Sequence, residues 1–370
     1  MHPMGVVRPW AECYSGTSRL MLLHGIFPPI STPFYPDGRV YLRKLEHNVD
    51  RYSRSPLAGI VVLGSTGEAV MLSDDERREV LREAREAAAD DKVLIAGTGA
   101  ESVIETLKLS EFAASLSYDA ALVRTPHFYK PILHPVNILT FYRTVADRSP
   151  IPVLIYNVPA FTGYDIPVEI VAELAEHPNI IGMKESAGSV EKIQRLVAAT
   201  RQVKREATVT EIFSAVTGRM LAEGDGNADK LVSVGALAGS QTAAAVATRP
   251  KFRTRTKDAG FQILCGSAHQ MVASLDAGAV GAVVAFAAPA PTACFEIYAA
   301  WKDRDSKLAQ EKQERIAKAS KRIVGHYGVA GIKYAQDLNG YYGGPPRLPL
   351  LPLTADAKAE IADLLTHIRN

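Results

Sequence analysis

The chain has 370 residues, 42 lysines and arginines against 40 aspartates and glutamates, and 47% apolar residues. A net charge of +2 gives no general attraction to nucleic acid or to an acidic membrane, and no apolar run approaches the roughly 18 residues of a membrane span. The three cysteines, Cys13, Cys265 and Cys294, form no CxxC and cannot all pair, which points to a reducing, cytoplasmic setting. There is no HExxH and no Cys/His cluster of zinc spacing, so no metal is expected.

In chain order, residues 1–24 read as an irregular extension. Met21 is an equally natural start, and the run Leu20-Met21-Leu22-Leu23 behind Arg19 is too short for a signal peptide. From there a rhythm sets in. Short apolar runs occur at 25–30, 59–63, 93–96, 120–123, 153–156, 180–183, 261–264 and 281–285, most of them followed by a charged, amphipathic stretch of helical length. Ser73-Asp74-Asp75-Glu76 predicts a helix start with Ser73 as N-cap and Glu76 closing a capping box. Residues 134–147 and 167–176 read as helices, the second with proline in its first turn.

Strand alternating with helix about eight times predicts an α/β fold with a parallel sheet. At this length the expected form is a closed (β/α)8 TIM barrel with a small C-terminal helical domain. A doubly wound open sheet is the alternative, weakened because no GxGxxG follows the first strand. The expected divisions are an extension at 1–24, a barrel at 25–300 and C-terminal helices at 301–370. Within the last, 354–368 forms a helix and Tyr341-Tyr342-Gly343-Gly344-Pro345-Pro346 an ordered turn. Residues 205–258 break the rhythm, being far longer than a barrel connection. Their basic end, 249–257, reads as a solvated, mobile surface loop rather than an anion site. The acidic spacing at 225–229 resembles the opening of a calcium loop, but Lys230 stands where that loop needs glycine.

The candidate chemistry lies where strands end, because a (β/α)8 barrel builds its active site from the C-terminal ends of its strands. Ile180-Ile181-Gly182-Met183-Lys184 is an apolar strand that ends on a lysine. Burial at such a position disfavours the charged form of an amine and favours attack on a carbonyl, although most strand-end lysines are only surface residues. Strand five ends in Tyr156-Asn157-Val158-Pro159, where a tyrosine can relay protons or simply cap the barrel. Strand two ends in Gly64-Ser65-Thr66-Gly67-Glu68, where hydroxyls and backbone N–H groups suit a carboxylate or phosphate. Amine, phenol and hydroxyls at one mouth are what Schiff-base chemistry on a 2-oxo acid requires.

The segments GSTGE (64–68), YNVPAFTG (156–163) and GMKES (182–186) resemble the dihydrodipicolinate synthase / N-acetylneuraminate lyase family of pyruvate-dependent class I aldolases. The similarity runs from about residue 25 to the C-terminus, interrupted by 205–258. It implies a homo-oligomer, usually a tetramer, that uses no cofactor and binds a small 2-oxo acid. Residue by residue, it places Lys184 at the Schiff-base position and Tyr156 at the proton relay. Ser65 and Thr66, with Gly67, take the turn that holds the pyruvate carboxylate, and Gly266 and Val283 line the pocket. Thr66 also counts among the catalytic positions. Two departures bear on the substrate. Phe161 stands where the synthase branch carries an arginine for its aldehyde substrate's carboxylate, which argues against that activity. Phe128 stands where a tyrosine often crosses the subunit interface, with Tyr129 as a possible replacement.

The segments at 149–163, 177–186 and 340–350 are most similar to the 4-hydroxy-2-oxoglutarate aldolase branch, which implies cleavage of that diacid to pyruvate and glyoxylate. The sequence shows no obvious cation for the second carboxylate, with Lys130 and Asn157 as candidates. A 2-keto-3-deoxy sugar-acid aldolase or dehydratase, and a catalytically decayed 2-oxo-acid-binding protein, stay open as alternatives.

Overall fold

Runs of Val, Ile, Leu and Ala that are apolar on both faces can bury both sides of a strand, and here they build one closed sheet. The computed structural model describes residues 20–222 and 253–368. Ten strands occur among them: β1 (Gly25–Ile26), β2 (Gly59–Val62), β3 (Val93–Gly97), β4 (Ala120–Arg124), β5 (Val153–Asn157), β6 (Ile180–Glu185), β7 (Glu206–Thr210), β8 (Thr254–Asp258), β9 (Gln262–Cys265) and β10 (Gly281–Ala282). Eight of them run parallel in the order β1-β10-β9-β6-β5-β4-β3-β2. A parallel bridge from Pro29 to Val61 joins the two ends. The Ile30 N–H donates to the Val61 carbonyl and the Val61 N–H to the Pro28 carbonyl, each at 3.0 Å. The sheet is therefore a barrel, and its strands fall on the eight apolar runs of the sequence.

Side chains alternate along each strand between the barrel interior and the surrounding helices. Val61, Ile95, Leu122, Leu154, Ile181, Leu264 and Val283 fill the interior with Phe27 and Tyr156. Ile60, Val62, Val123, Ile155 and Met183 face the helices. The helix at Asp74–Ala87 starts as its sequence predicts, with Ser73 and Glu76 forming a capping box that contributes about 1 kcal/mol.

The segment from Leu20 to His24 is more than an irregular extension. Met21 and Leu23 are buried inside the foot of the barrel. The Leu23 N–H donates to Gln262 Oε1 at 2.7 Å, and Gln262 Nε2 donates to the Met21 carbonyl at 2.8 Å. These apolar side chains plug the end where the strands begin.

The interval at 205–258 carries regular structure at both of its described ends, including a strand where a solvated loop was expected at 249–257. β7 and β8 form an antiparallel hairpin, and Leu20 bridges Ala207. Leu22, Ala207 and Val209 make a small cluster of their own. Residues 211–222 continue along the foot of the barrel, where Arg219 is buried among the starts of β3 and β4. The calcium-like spacing at 225–229, and the first four residues of the basic cluster at 249–257, lie outside the described residues.

Beyond β10 the chain is helical at Pro291–Lys302, Ser306–Ser320, Gly328–Leu338 and Ala355–Leu364, with a π-turn at Lys321–His326. The turn at 341–346 is ordered, as expected. Tyr341 stacks on Tyr52 with centroids 4.5 Å apart, and Asn48 exchanges two 2.8 Å hydrogen bonds with the backbone of Tyr342. Gly343 passes so close to Lys333 that a Cβ would lie 1.8 Å from the Lys333 carbonyl oxygen, so only glycine fits there.

Candidate active site

Lys184 lies on the inward face of β6 near its C-terminal end, and its side chain is almost completely buried. The register of the sheet sets Arg124, Tyr156, Lys184 and Leu264 side by side on β4, β5, β6 and β9. All four belong to the inward-facing alternation, so three polar side chains share one layer at the mouth of the barrel. Lys184 Nζ stands 4.1 Å from the centroid of the Tyr156 ring. The Tyr156 hydroxyl lies 3.3 Å from Ser65 Oγ, and either can donate. The amine, phenol and hydroxyl expected at the mouth of the barrel therefore lie together.

The turn carrying Ser65 is held in an uncommon shape. Leu63 and Glu68, on either side of Gly64-Ser65-Thr66-Gly67, both have left-handed backbones, with φ of 60° and 53°. Such residues cost about 1–3 kcal/mol each and persist where the surroundings fix them. Gly97 makes room for this bend, since a Cβ there would lie 2.1 Å from the Leu63 carbonyl oxygen. The turn's own bonds use the N–H groups of Gly67 and Glu68. That leaves the N–H groups of Ser65 and Thr66 at its start, where a short helix has no partners for them.

A buried ion pair locks the far side of the turn. Glu68 Oε1 meets Lys333 Nζ at 2.6 Å, and both side chains are fully buried. The Arg347 N–H donates to Glu68 Oε2 at 2.8 Å, and Lys333 Nζ to the Pro345 carbonyl at 2.9 Å. Burial pulls the Lys333 ammonium down to about 8, and the Glu68 carboxylate opposes that shift. The Arg347 guanidinium forks onto both oxygens of Glu76, at 2.6 and 2.8 Å. The C-terminal segment thus clamps the proposed carboxylate-binding turn from behind.

A second polar group joins the ends of β5 and β6. Glu185, the outward neighbour of Lys184, accepts two hydrogen bonds from Asn157 Nδ2 at 2.9 and 3.0 Å and one from the Ala187 N–H at 2.6 Å. Burial raises the Glu185 carboxyl, against the nearby charge of Lys192. Asn157 also accepts from the Ile166 N–H and donates to Asp165. It points away from the mouth and is fully engaged, so it does not reach a substrate carboxylate as the sequence reading allowed. Its place is to hold Tyr156 and Lys184 in register.

The remaining expected residues divide. Thr66 is buried in the turn, and Val283 is buried in the barrel interior. Gly266 follows β9, where a Cβ would lie 2.0 Å from Ser186 Oγ. Phe161 sits on the short helix Pro159–Thr162 and is 68% exposed on the rim. Phe128 and Tyr129 are 74% and 65% exposed, and they contact each other edge to face. Lys130 is exposed beside Gly163 on the same rim. Neither Phe161 nor Tyr129 enters the buried layer.

Arg124 does enter it, although the apolar run of β4 ends one residue earlier. The signal was alternation: Ala120 and Leu122 face inward, and so must Arg124. With Leu63, Ser65, Thr98, Leu122 and Tyr156 it lines a cavity of about 360 Å³.

A parallel (β/α)8 barrel with a buried lysine at a strand end, beside a tyrosine, is an arrangement of Schiff-base aldolases. Comparison with known proteins agrees at the level of family. The dihydrodipicolinate synthetase family profile matches residues 22–206 and 227–368, and the chain belongs to that family. A 4-hydroxy-tetrahydrodipicolinate synthase of Acidiphilium cryptum is 30% identical over 94% of this chain and 99% of its own length. One of Methanothrix thermoacetophila is 29% identical over 94% and 97%. Among solved structures, a prophage protein of the dihydrodipicolinic acid synthase family from E. coli K12, in complex with pyruvate, is 25% identical. It superposes with a TM-score of 0.73 over 94% of this chain and 99% of its own. The chain is thus a member of a lyase and synthase family whose enzymes use a Schiff-base lysine.

Proposed function

We propose that the protein is a class I aldolase that cleaves 4-hydroxy-2-oxoglutarate to pyruvate and glyoxylate through an imine on Lys184. The observation that carries the imine chemistry is buried Lys184 Nζ 4.1 Å from the Tyr156 ring, with Ser65 Oγ 3.3 Å from the Tyr156 hydroxyl. In the neutral form the Lys184 amine adds to the C2 ketone, and loss of water gives the imine. Tyr156 removes the proton of the C4 hydroxyl, directly or through a relay. The C3–C4 bond then breaks, its electron pair moves into the imine, and glyoxylate leaves as the aldehyde. The resulting enamine takes a proton at C3 and is hydrolysed to pyruvate and free lysine. Ser65 and Thr66 bind the C1 carboxylate with their hydroxyl and N–H groups.

The names of the full-length relatives favour a second reading, synthesis of 4-hydroxy-tetrahydrodipicolinate. Phe161 counts against it only in that the arginine by which the synthase branch holds its aldehyde's carboxylate is absent. Borohydride reduction in the presence of pyruvate tests the chemistry common to both. A pyruvate-sized adduct is expected on the Lys184 peptide, and Lys184→Ala abolishes both adduct and turnover. A folded protein without the adduct points to a binding protein on an aldolase scaffold. Assays of 4-hydroxy-2-oxoglutarate cleavage and of 4-hydroxy-tetrahydrodipicolinate formation then separate the two enzymes.

A further inference from the structure

The proposed substrate carries two carboxylates, and the turn at Ser65–Thr66 accounts for one. Four cations line the cavity, and three of them are spoken for on the outer helices. Arg77 binds Asp74 and the Ala69 carbonyl, Arg78 lies over the Phe112 ring, and Lys108 pairs with Glu105. Arg124 alone stands in the inward layer. Neighbouring strands are about 4.8 Å apart, so its backbone lies roughly 10 Å from that of Lys184. Tyr156 stands between them in the register, lining the cavity with Arg124 and lying under Lys184 Nζ.

The Arg124 side chain is only 19% exposed, and it is held on one edge. Nη1 donates to Glu101 Oε1 at 2.8 Å and to the Thr125 carbonyl at 3.3 Å, and it lies 2.9 Å from His127 Nδ1. All three contacts run through Nη1. Among the described residues, Nε and Nη2 make no hydrogen bond, and that edge is the pair of parallel donors that fits a carboxylate. Glu101 is itself occupied. Burial acts to raise its carboxyl, but the N–H groups of His127 and Phe128 and the Arg124 guanidinium hold it below its ordinary value. Glu101 therefore fixes the guanidinium while leaving its other edge for a ligand. The Tyr142 hydroxyl, 2.9 Å from the Val123 carbonyl, steadies the strand beneath it.

We infer that Arg124 receives the distal carboxylate of the substrate, so that the site selects 2-oxo diacids over uncharged 2-oxo sugar acids. This rests on the Lys184 imine proposed above, and it supplies the cation missing at Phe161. The carboxylate lies across the Nε–Nη2 edge, and the diacid spans from that edge to the imine. In the synthetic direction the same contact orients glyoxylate for attack by the enamine.

The test compares wild type, Arg124→Met and Arg124→Lys in the addition of pyruvate to glyoxylate and to glycolaldehyde, a neutral aldehyde of the same size. Borohydride trapping of pyruvate is run on each protein. In Arg124→Met the adduct on Lys184 is expected to persist while kcat/KM for glyoxylate falls at least about 30-fold. The value for glycolaldehyde should change less than about 3-fold, and Arg124→Lys should recover part of the loss. Equal losses for both aldehydes, or no loss for glyoxylate, overturn the assignment of Arg124 and leave the aldolase standing. Absence of the adduct in wild type overturns the aldolase reading, and the Arg124 assignment falls with it.

Discussion

Tyr156 offers two things to the proposed chemistry, a face and a hydroxyl, and they are separable. The ring lies under Lys184 Nζ, where its negative face favours a cation and would steady the protonated form of the proposed imine. The hydroxyl, 3.3 Å from Ser65 Oγ, is the only part that can carry a proton. Tyr156→Phe keeps the face and deletes the relay. It should lower kcat by about 10²-fold or more while still allowing the pyruvate adduct to form. Near-normal turnover, followed by release of pyruvate, would remove Tyr156 from its role. The places of Lys184 and Tyr156 at the barrel mouth were legible in the sequence because each ends an apolar strand. Arg124 was harder to see, since its meaning depends on which face of β4 points inward. Asn157 was misread for the same reason: one position beyond Tyr156, it faces the outside of the barrel and serves Glu185.

The Ser65–Thr66 turn depends on contacts from the distant C-terminal segment, and this was not legible from the chain. Apolar runs announce parallel strands because burial on both faces is a local demand on composition. The Glu68–Lys333 pair makes no such demand on either neighbourhood, and only folding brings the two together. Lys333→Met leaves the Glu68 carboxylate buried without its cation, which typically costs about 3–5 kcal/mol. The same change should raise KM for pyruvate, because the turn loses its backing. Denaturant unfolding and pyruvate kinetics on one preparation measure both. Adding Glu68→Gln should restore part of the stability by removing the unpaired charge. The pair also has a pH signature. Lys333 is pulled from 10.5 to about 8 in the folded protein, so the unfolded chain holds more protons between those values. Its contribution to stability is therefore greatest above 10.5 and is lost as the pH falls through about 8. Lys333→Met should remove that rise.

The two ends of the barrel carry different burdens. At the mouth, strained turns and buried polar groups surround the proposed chemistry. At the foot, Met21 and Leu23 plug the interior, and the β7–β8 hairpin and residues 211–222 pack against the starts of the strands. The hairpin was not predicted because its second strand, Thr-Arg-Thr-Lys-Asp, has no apolar face to announce it. Its partner lies on the far side of a long interval. Arg219 anchors this end. It pairs with buried Asp119 at 2.9 Å and donates to the Ser117 carbonyl at 2.5 Å and to the Lys92 carbonyl. Burial raises the Asp119 carboxyl against the pull of that guanidinium, so the pair holds a charge that the interior otherwise resists. Arg219→Met strips Asp119 of its partner and leaves the Ser117 and Lys92 carbonyls without their donor. A loss of about 3–5 kcal/mol is expected in denaturant unfolding. The mouth of the barrel is untouched by this change, so the folded fraction should keep wild-type kcat and KM and form the same Lys184 adduct. A fall in kcat at full folding would mean that the foot of the barrel is coupled to the site. Stability lost with kinetics retained places the segment at 211–222 in the support of the fold, at the end opposite the proposed chemistry.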